Sequence, residues 1–208
     1  SLPSASHEVQ HLAKEMNSVG KSRAFLNSEA TPLAFSSGVS DSRILHVASH
    51  SKISEDNPLF STIYLHPGMD VQSGDSLSGQ IFAYELYDMD FENELIMLNS
   101  CESASGEYFQ GAGIMGFSRT LRYAGAQSLV LNLWRVEDQL ASEFAIDFYE
   151  GLSDGKTKPA ALREAKIDFL KKENKELTND NETLSCAVRN QDYLIKKLKS
   201  EEIEKEYV

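Results

Sequence analysis

Residues 95–101 have the sequence LIMLNSC, an uninterrupted apolar run that turns polar at Asn99 and reaches Cys101. An apolar run without alternation is typical of a strand buried on both faces, as in a parallel sheet covered by helices. In such sheets, functional groups gather where the strands end. The polar residues that follow Leu98 are therefore the first candidates for a functional site.

Short apolar runs of the same kind occur elsewhere in the first 170 residues. They cover residues 44–48, 62–65 and 128–133. Helical spacing of apolar residues predicts helices over residues 7–19, 114–124 and 138–152, and Pro159 suits the first turn of another. The alternation predicts an α/β fold with a mainly parallel sheet and helices on both of its faces.

The charge balance limits the classes of partner. Of 208 residues, 32 are acidic and 20 are basic, which gives a net charge of −12. Nucleic acids and anionic membranes both require a basic face, so neither is expected as a partner. We find no membrane-spanning segment and no signal peptide. The two cysteines, Cys101 and Cys186, are too few for a disulfide framework, which predicts a reducing, cytoplasmic setting without a metal or other cofactor.

The composition changes near residue 170. Residues 171–208 contain no Gly, Pro, Phe or Trp and hold 9 acidic and 8 basic residues, against 23 and 12 in residues 1–170. Leucines on a broken seven-residue spacing predict a solvated helix or a short coiled coil. A charged tail without fixed structure, or a fused segment foreign to the domain, is the alternative. We expect a domain over residues 1–170 and a helical tail over 171–208 suited to binding a regulatory protein or to self-association.

A histidine and a cysteine occupy corresponding positions after two of the runs. His50 follows the run at 44–48 as Cys101 follows its own, and the two would meet at one edge of the sheet if their strands are neighbours. An adjacent imidazole raises the thiolate fraction of a cysteine and can protonate a leaving amine. Backbone N–H groups of Cys101 and Ser51 would then bind the oxyanion. A lone cysteine at a strand end is also typical of a small buried residue. His46 lies between apolar neighbours, which favours a core role for it beside the site.

Four longer segments carry a family resemblance. They read ILHVASHS (44–51), ENELIMLNSCESASG (92–106), QGAGIMGFSRTLRYAGAQSLVLNLWRVED (110–138) and FYEGLSDGKTKPAALREAKIDFL (148–170). With LPSASHEV (2–9) and NSEATPLAF (27–35), they resemble in order and spacing the CHAT-domain family, caspase-like cysteine peptidases related to separase. The resemblance implies a caspase-like three-layer α/β/α sandwich and a dyad of Cys101 and His50, with His46 at an accompanying position.

The same resemblance points to a specificity pocket. Residues 133–138, LWRVED, resemble the segment in which separase-like relatives place an acidic residue that receives a basic P1 side chain. The matching residue here is Asp138, with Glu137 beside it. Asp is also a favoured N-cap residue, so we expect Asp138 to cap the helix that follows, and the two roles can coexist.

Two features depart from the family pattern. Ser51 stands where the family commonly has Gly after the catalytic histidine. Serine keeps the backbone N–H that the oxyanion role needs. Residues 171–208 contain no counterpart of the aromatic strand that usually closes the domain, so we expect the sheet to lack that strand, to take it from a partner, or to be unfinished.

Two functions are therefore weighed. One is a cysteine endopeptidase that cleaves a protein or peptide substrate through a thioester acyl-enzyme. The other is a non-catalytic caspase-like module that binds a protein partner or self-associates through its tail.

Overall fold

The computed structural model describes residues 3–54, 56–69, 76–100, 108–109, 113–114, 117–132 and 136–177. The helices in these ranges are α1 (Pro3–Met16), α2 (Pro32–Asp41), α3 (Phe117–Tyr123), α4 (Asp138–Ser153) and α5 (Lys158–Leu177). The strands are β1 (Ile44–Ala48), β2 (His50–Lys52), β3 (Thr62–Tyr64), β4 (Gly68–Met69), β5 (Ser76–Leu77), β6 (Gln80–Phe82), β7 (Leu95–Asn99), β8 (Tyr108–Phe109), β9 (Gly113–Ile114) and β10 (Leu129–Leu131). Short 3₁₀ turns cover Asn27–Glu29, Pro58–Phe60 and Glu85–Asp88.

A parallel sheet in the order β1-β7-β10 forms the centre of the fold. All five residues of β7 are buried, which explains why its sequence is an apolar run without alternation. The strands β1 and β7 pair from Ile44 with Leu95 to Ala48 with Asn99, so they end level with each other. The parallel sheet predicted from the apolar runs is confirmed for these three strands.

The two faces of β7 contact different layers. Leu95 and Met97 pack in a cluster with apolar side chains of α1, α4 and α5. Ile96 and Leu98 pack on the other face, in a cluster that includes side chains of α2 and α3. Full burial of one such side chain contributes about 1.5–3 kcal/mol, so β7 is a main source of stability in the core. The predicted α/β fold with helices on both faces of the sheet is confirmed.

The run at residues 62–65 was predicted to join the parallel sheet, but it does not. It forms β3, which lies between β2 and β6 in a separate antiparallel sheet. The physical reason is the bend at Ser49, where the chain leaves β1 and immediately starts β2. His50 therefore pairs with Tyr64 instead of extending β1.

Three helix predictions need correction at their ends. The first helix runs from Pro3 to Met16, so it begins before the predicted residue 7 and ends before the predicted residue 19. The helix predicted from Ile114 begins only at Phe117, because residues 113–114 pair with β8. The helix α4 ends at Ser153, one residue beyond the predicted end, and Gly151 lies inside it, where an added Cβ would stand 2.9 Å from the Cβ of Ala161. That glycine permits the close approach of α5.

The helix α5 begins at Lys158 with Pro159 in its first turn, as predicted, and continues through residue 171 to Leu177. The predicted coiled-coil positions from residue 184 onward lie outside the described residues. The boundary at residues 170–171 stays a prediction. Across the described ranges, no helix combines the length and the apolar character needed to cross a bilayer.

Candidate active site at the strand ends

The candidate dyad follows the level ends of β1 and β7. His50 is two positions beyond Ala48, and Cys101 is two positions beyond Asn99. The structure places His50 at the start of β2 with its side chain exposed. Cys101 lies outside the described residues. What the structure does bring together is the pair of strand ends from which both residues follow.

A serine pair joins the two segments just beyond the sheet. Ser51, directly after His50, and Ser100, directly before Cys101, are both buried. Their side-chain oxygens lie 2.7 Å apart, which is a normal distance for a hydrogen bond between hydroxyl groups. The chain neighbours of His50 and Cys101 are thus in direct contact. The oxyanion role predicted for the backbone of Ser51 and Cys101 stays a prediction.

His46 and His50 do not share one face of an extended strand, because β1 ends between them. The side chain of His46 is only 11% exposed and lies between the sheet and the α1–α4 layer. Its Nε2 is 2.8 Å from Oε1 of Glu8, and its ring meets that of Tyr149 edge-to-face with centroids 5.4 Å apart. His46 is therefore a core residue that contacts a buried acid.

Glu8, carried by α1, is the residue that sequence reasoning missed. It is 1% exposed, although an ionisable side chain is rarely buried unless it is paired. Its Oε1 accepts a hydrogen bond from Asn99 Nδ2 at 2.7 Å, in addition to the contact with His46. The available signal was its position four residues before Leu12, which is buried, because residues i and i+4 share a helix face.

These contacts belong to a connected set of polar side chains at the carboxyl end of the sheet. Asn99 Nδ2 also donates to the carbonyl of Ala141 in α4 at 3.2 Å. Asn132, just after β10, donates to Asn99 Oδ1 at 3.0 Å and to the carbonyl of Ser100 at 3.4 Å. We call this set the strand-end network; its members are Glu8, His46, Ser51, Asn99, Ser100 and Asn132.

The buried acid also affects a neighbouring phenol. Tyr149 is 1% exposed, and loss of hydration raises the pKa of its hydroxyl far above the ordinary range, with a further contribution from the Glu8 carboxylate. Tyr149 is therefore a neutral group that packs against His46 at any physiological pH.

The two acidic residues proposed for substrate binding lie at the start of α4. The prediction that Asp138 caps this helix is wrong, because the amide of Ala141 donates to the carbonyl of Glu137, which makes Glu137 the N-cap position. The side chain of Glu137 is exposed and makes no capping bond. Asp138 is half-buried, and its Oδ2 accepts from the backbone N–H of Ser4 at 3.0 Å. Asp138 thus satisfies an amide in the first turn of α1, where backbone N–H groups lack helical partners.

The rest of the predicted pocket segment, residues 133–135, lies outside the described residues. Among the side chains that the structure describes, no group of three or more His, Cys, Asp or Glu residues is arranged to hold a metal ion. The described part of the site is a histidine exposed at a strand end, with a buried network of hydrogen bonds behind it.

Comparison with known families identifies the chain. A search among curated proteins found no significant match. The family model described as the CHAT domain matches residues 1–197, which is most of the chain and extends beyond α5. This agrees with the resemblance of the segments around His50 and Cys101, and with the α/β fold. The chain belongs to the CHAT domain family, which is related to the caspase-like peptidases.

Proposed function

We propose that this CHAT domain is a cysteine endopeptidase in which Cys101 is the nucleophile and His50 is the general base. The observation that carries the proposal is the register of β1 and β7, whose level ends at Ala48 and Asn99 precede the two residues by the same two positions. The contact between Ser51 and Ser100 supports it, because it holds the adjoining segments together. Exposure of His50 leaves the imidazole accessible to a substrate.

The proposed reaction is an acyl transfer in two stages. The Cys101 thiolate attacks the peptide carbonyl, and backbone N–H groups of Ser51 and Cys101 stabilise the oxyanion. His50, having taken the thiol proton, gives it to the leaving amine as the C–N bond breaks. Water then attacks the thioester with His50 as base, which releases the carboxylic acid and restores the thiol. None of these steps requires a metal or an organic cofactor.

The proposed substrate is a protein or peptide with Arg or Lys at P1. Asp138 and Glu137 are the residues proposed to receive that side chain, and the excess of 11 negative charges in residues 1–170 favours a basic substrate. The contact with Ser4 occupies Oδ2 of Asp138, so the P1 contact would use Oδ1. We further propose a cytoplasmic setting, which keeps Cys101 reduced, and a regulatory partner or a second copy bound through residues 171–208.

Thiol alkylation tests the dyad directly. In a Cys186→Ser background, the rate of reaction with iodoacetamide is measured from about pH 5 to pH 9. An ordinary thiol, with a pKa of about 8.5, is only about 1% thiolate at pH 6.5. At pH 6.5 we expect Cys101 to react about tenfold or more faster than an ordinary thiol. His50→Ala should reduce its rate to that of an ordinary thiol.

His7→Ala is the matched control, because His7 is also exposed but lies on α1. It should leave the pH profile unchanged. Ordinary thiol behaviour in the parent, or equal profiles in the parent and His50→Ala, would remove the catalytic proposal and leave the interaction module as the alternative.

A further inference from the structure

Glu8 is a buried acid that the proposed reaction does not use. Given the proposed function, on which this inference rests, we propose that Glu8 is a positioning residue: its carboxylate joins the ends of β1 and β7 and so fixes the segments that carry His50 and Cys101. Glu8 itself touches neither the substrate nor the reacting atoms in this proposal. It acts through His46 and Asn99.

The geometry of the carboxylate supports a bridging role. One oxygen, Oε1, lies 2.8 Å from His46 Nε2 and 2.7 Å from Asn99 Nδ2. His46 belongs to β1, and Asn99 is the last residue of β7. A single acceptor on α1 therefore contacts both strands close to the point where each of them ends. Displacing α1, or removing the acceptor, would affect both strands together.

The contacts of Asn99 continue to the chain neighbours of the candidate dyad. Asn99 directly precedes Ser100, whose carbonyl accepts from Asn132 and whose hydroxyl contacts Ser51. Asn132 is itself bound to Asn99 Oδ1. The strand-end network thus reaches the chain neighbours of both His50 and Cys101, and the buried acceptor on α1 stands at its other end.

Energetics argue against a role in stability alone. A buried ionisable group loses its hydration, and replacing such a group together with its partners by well-packed apolar residues is often neutral or stabilising. Hydrogen-bonded buried groups instead fix one arrangement of their neighbours, because each alternative arrangement leaves a donor without an acceptor. Glu8 is placed where such a fixed arrangement matters most, at the two strand ends behind the site.

Two substitutions of similar size separate hydrogen bonding from packing. The amide oxygen of Glu8→Gln can still accept from both donors, whereas Glu8→Met fills the same space without a strong acceptor. The readout is the iodoacetamide pH profile of Cys101 in the Cys186→Ser background, with folding verified by circular dichroism. Glu15→Met is the control, since Glu15 also lies on α1 and accepts a hydrogen bond, from Ser153, but lies outside the network.

We expect Glu8→Met to slow alkylation at about pH 6.5 by about tenfold, because a shift of roughly 1 Å in a catalytic group can cost about 100-fold in rate. Alkylation at about pH 9 should be nearly unchanged, since it needs no imidazole. Glu8→Gln should recover most of the parent rate, and Glu15→Met should match the parent. A folded Glu8→Met protein with the parent pH profile overturns the proposal.

Hydrogen exchange separates this proposal from the proposed function. In Glu8→Met, peptides covering residues 46–52 and 96–100 should exchange faster than in the parent, whereas peptides at the opposite end of the sheet should not. If the parent shows no reactivity at low pH, the dyad fails, and unchanged exchange at these strand ends would then overturn the role of Glu8 as well.

Should Glu8→Met not fold, Glu8→Asp replaces it, because a carboxylate one methylene shorter cannot keep both contacts. Slowed alkylation in Glu8→Asp supports the proposal, and an alkylation profile equal to that of the parent overturns it.

Discussion

Tyr149 shows how the polar core behind the strand ends differs from an ordinary apolar core. Its ring packs against His46 and, edge-to-face, against Phe148 with centroids 5.4 Å apart. Its hydroxyl is buried and, within the described residues, has no hydrogen-bond partner. A buried hydroxyl without a partner costs about 1–3 kcal/mol, so the packing of the ring must offset that cost.

Tyr149→Phe should therefore keep the free energy of unfolding at pH 8 unchanged or raise it by about 1–2 kcal/mol. Above about pH 10 the unfolded tyrosine loses its proton, while the folded one keeps it because burial raises its pKa. The unfolded state then binds fewer protons than the folded state, and stability falls as the pH rises. The parent should lose about 1.4 kcal/mol per pH unit relative to Tyr149→Phe in this range.

Urea unfolding at pH 8 and at several points above pH 10 measures this difference. Tyr123→Phe is the control, because Tyr123 is 78% exposed. A parent and a Tyr149→Phe variant whose stabilities stay parallel above pH 10 would contradict the prediction.

Single residues also show where sequence reasoning stopped. His46 was recognised as a core residue because apolar neighbours flank it along the chain. Glu8 was not, because its burial depends on His46 and Asn99, which lie 38 and 91 positions away in the sequence. A helical pattern shows which residues share a face, but it does not show that two donors from different strands meet on that face.

Secondary-structure elements were predicted more completely than their pairing. The apolar runs that form β1, β7 and β10 predicted buried strands, the period of the pattern identified α4, and Pro159 marked the start of α5. The run at 62–65 was also recognised as a strand, but it joins the antiparallel sheet, because a three-residue strand carries no information about its partner. The bend at Ser49, which redirects the chain, is marked only by a serine, a weaker turn residue than Asn or Asp.

The start of α4 combines an observed contact with Ser4 and a proposed contact with a basic P1 side chain, and substitutions can separate the two. Asp138→Asn keeps a side-chain oxygen that can accept from Ser4, so α1 should stay in place, but it removes the negative charge. If Asp138 receives a basic P1 side chain, kcat/KM for a peptide with Arg at P1 should fall about tenfold or more, since a hydrogen bond to a charged group contributes about 1.5–3 kcal/mol. A matched peptide with Leu at P1 should be unaffected.

Glu137→Gln tests the neighbouring exposed acid in the same way, and Cys101→Ala protein supplies the blank for both assays. An Arg preference that survives Asp138→Asn and Glu137→Gln together would leave Asp138 only its contact with α1.

The extent of the folded body is a property of the whole chain. The described contacts of α5 with the rest of the protein come from its first part: Ala161 and Ala165 are buried, and Phe169 meets Phe144 edge-to-face at 6.1 Å. Lys172 adds an exposed ion pair with Asp147 at 2.9 Å, of a kind that contributes at most about 1 kcal/mol. The boundary at residues 170–171 stays a prediction, and the family match continues to residue 197.

Truncation distinguishes these two boundaries. If residues 171–208 are a separate helical tail, a chain ending at Leu177 should unfold cooperatively, with a melting temperature within about 2–4 °C of the parent, because about 1 kcal/mol corresponds to that shift in a protein of this size. Its Cys101 should keep the parent alkylation profile, and any dimer seen by light scattering should become a monomer. A chain ending at residue 197 is the control, since it keeps everything that the family model matches. Loss of cooperative unfolding at Leu177 but not at residue 197 would mean that the intervening segment completes the core, and the predicted boundary at residue 170 would be wrong.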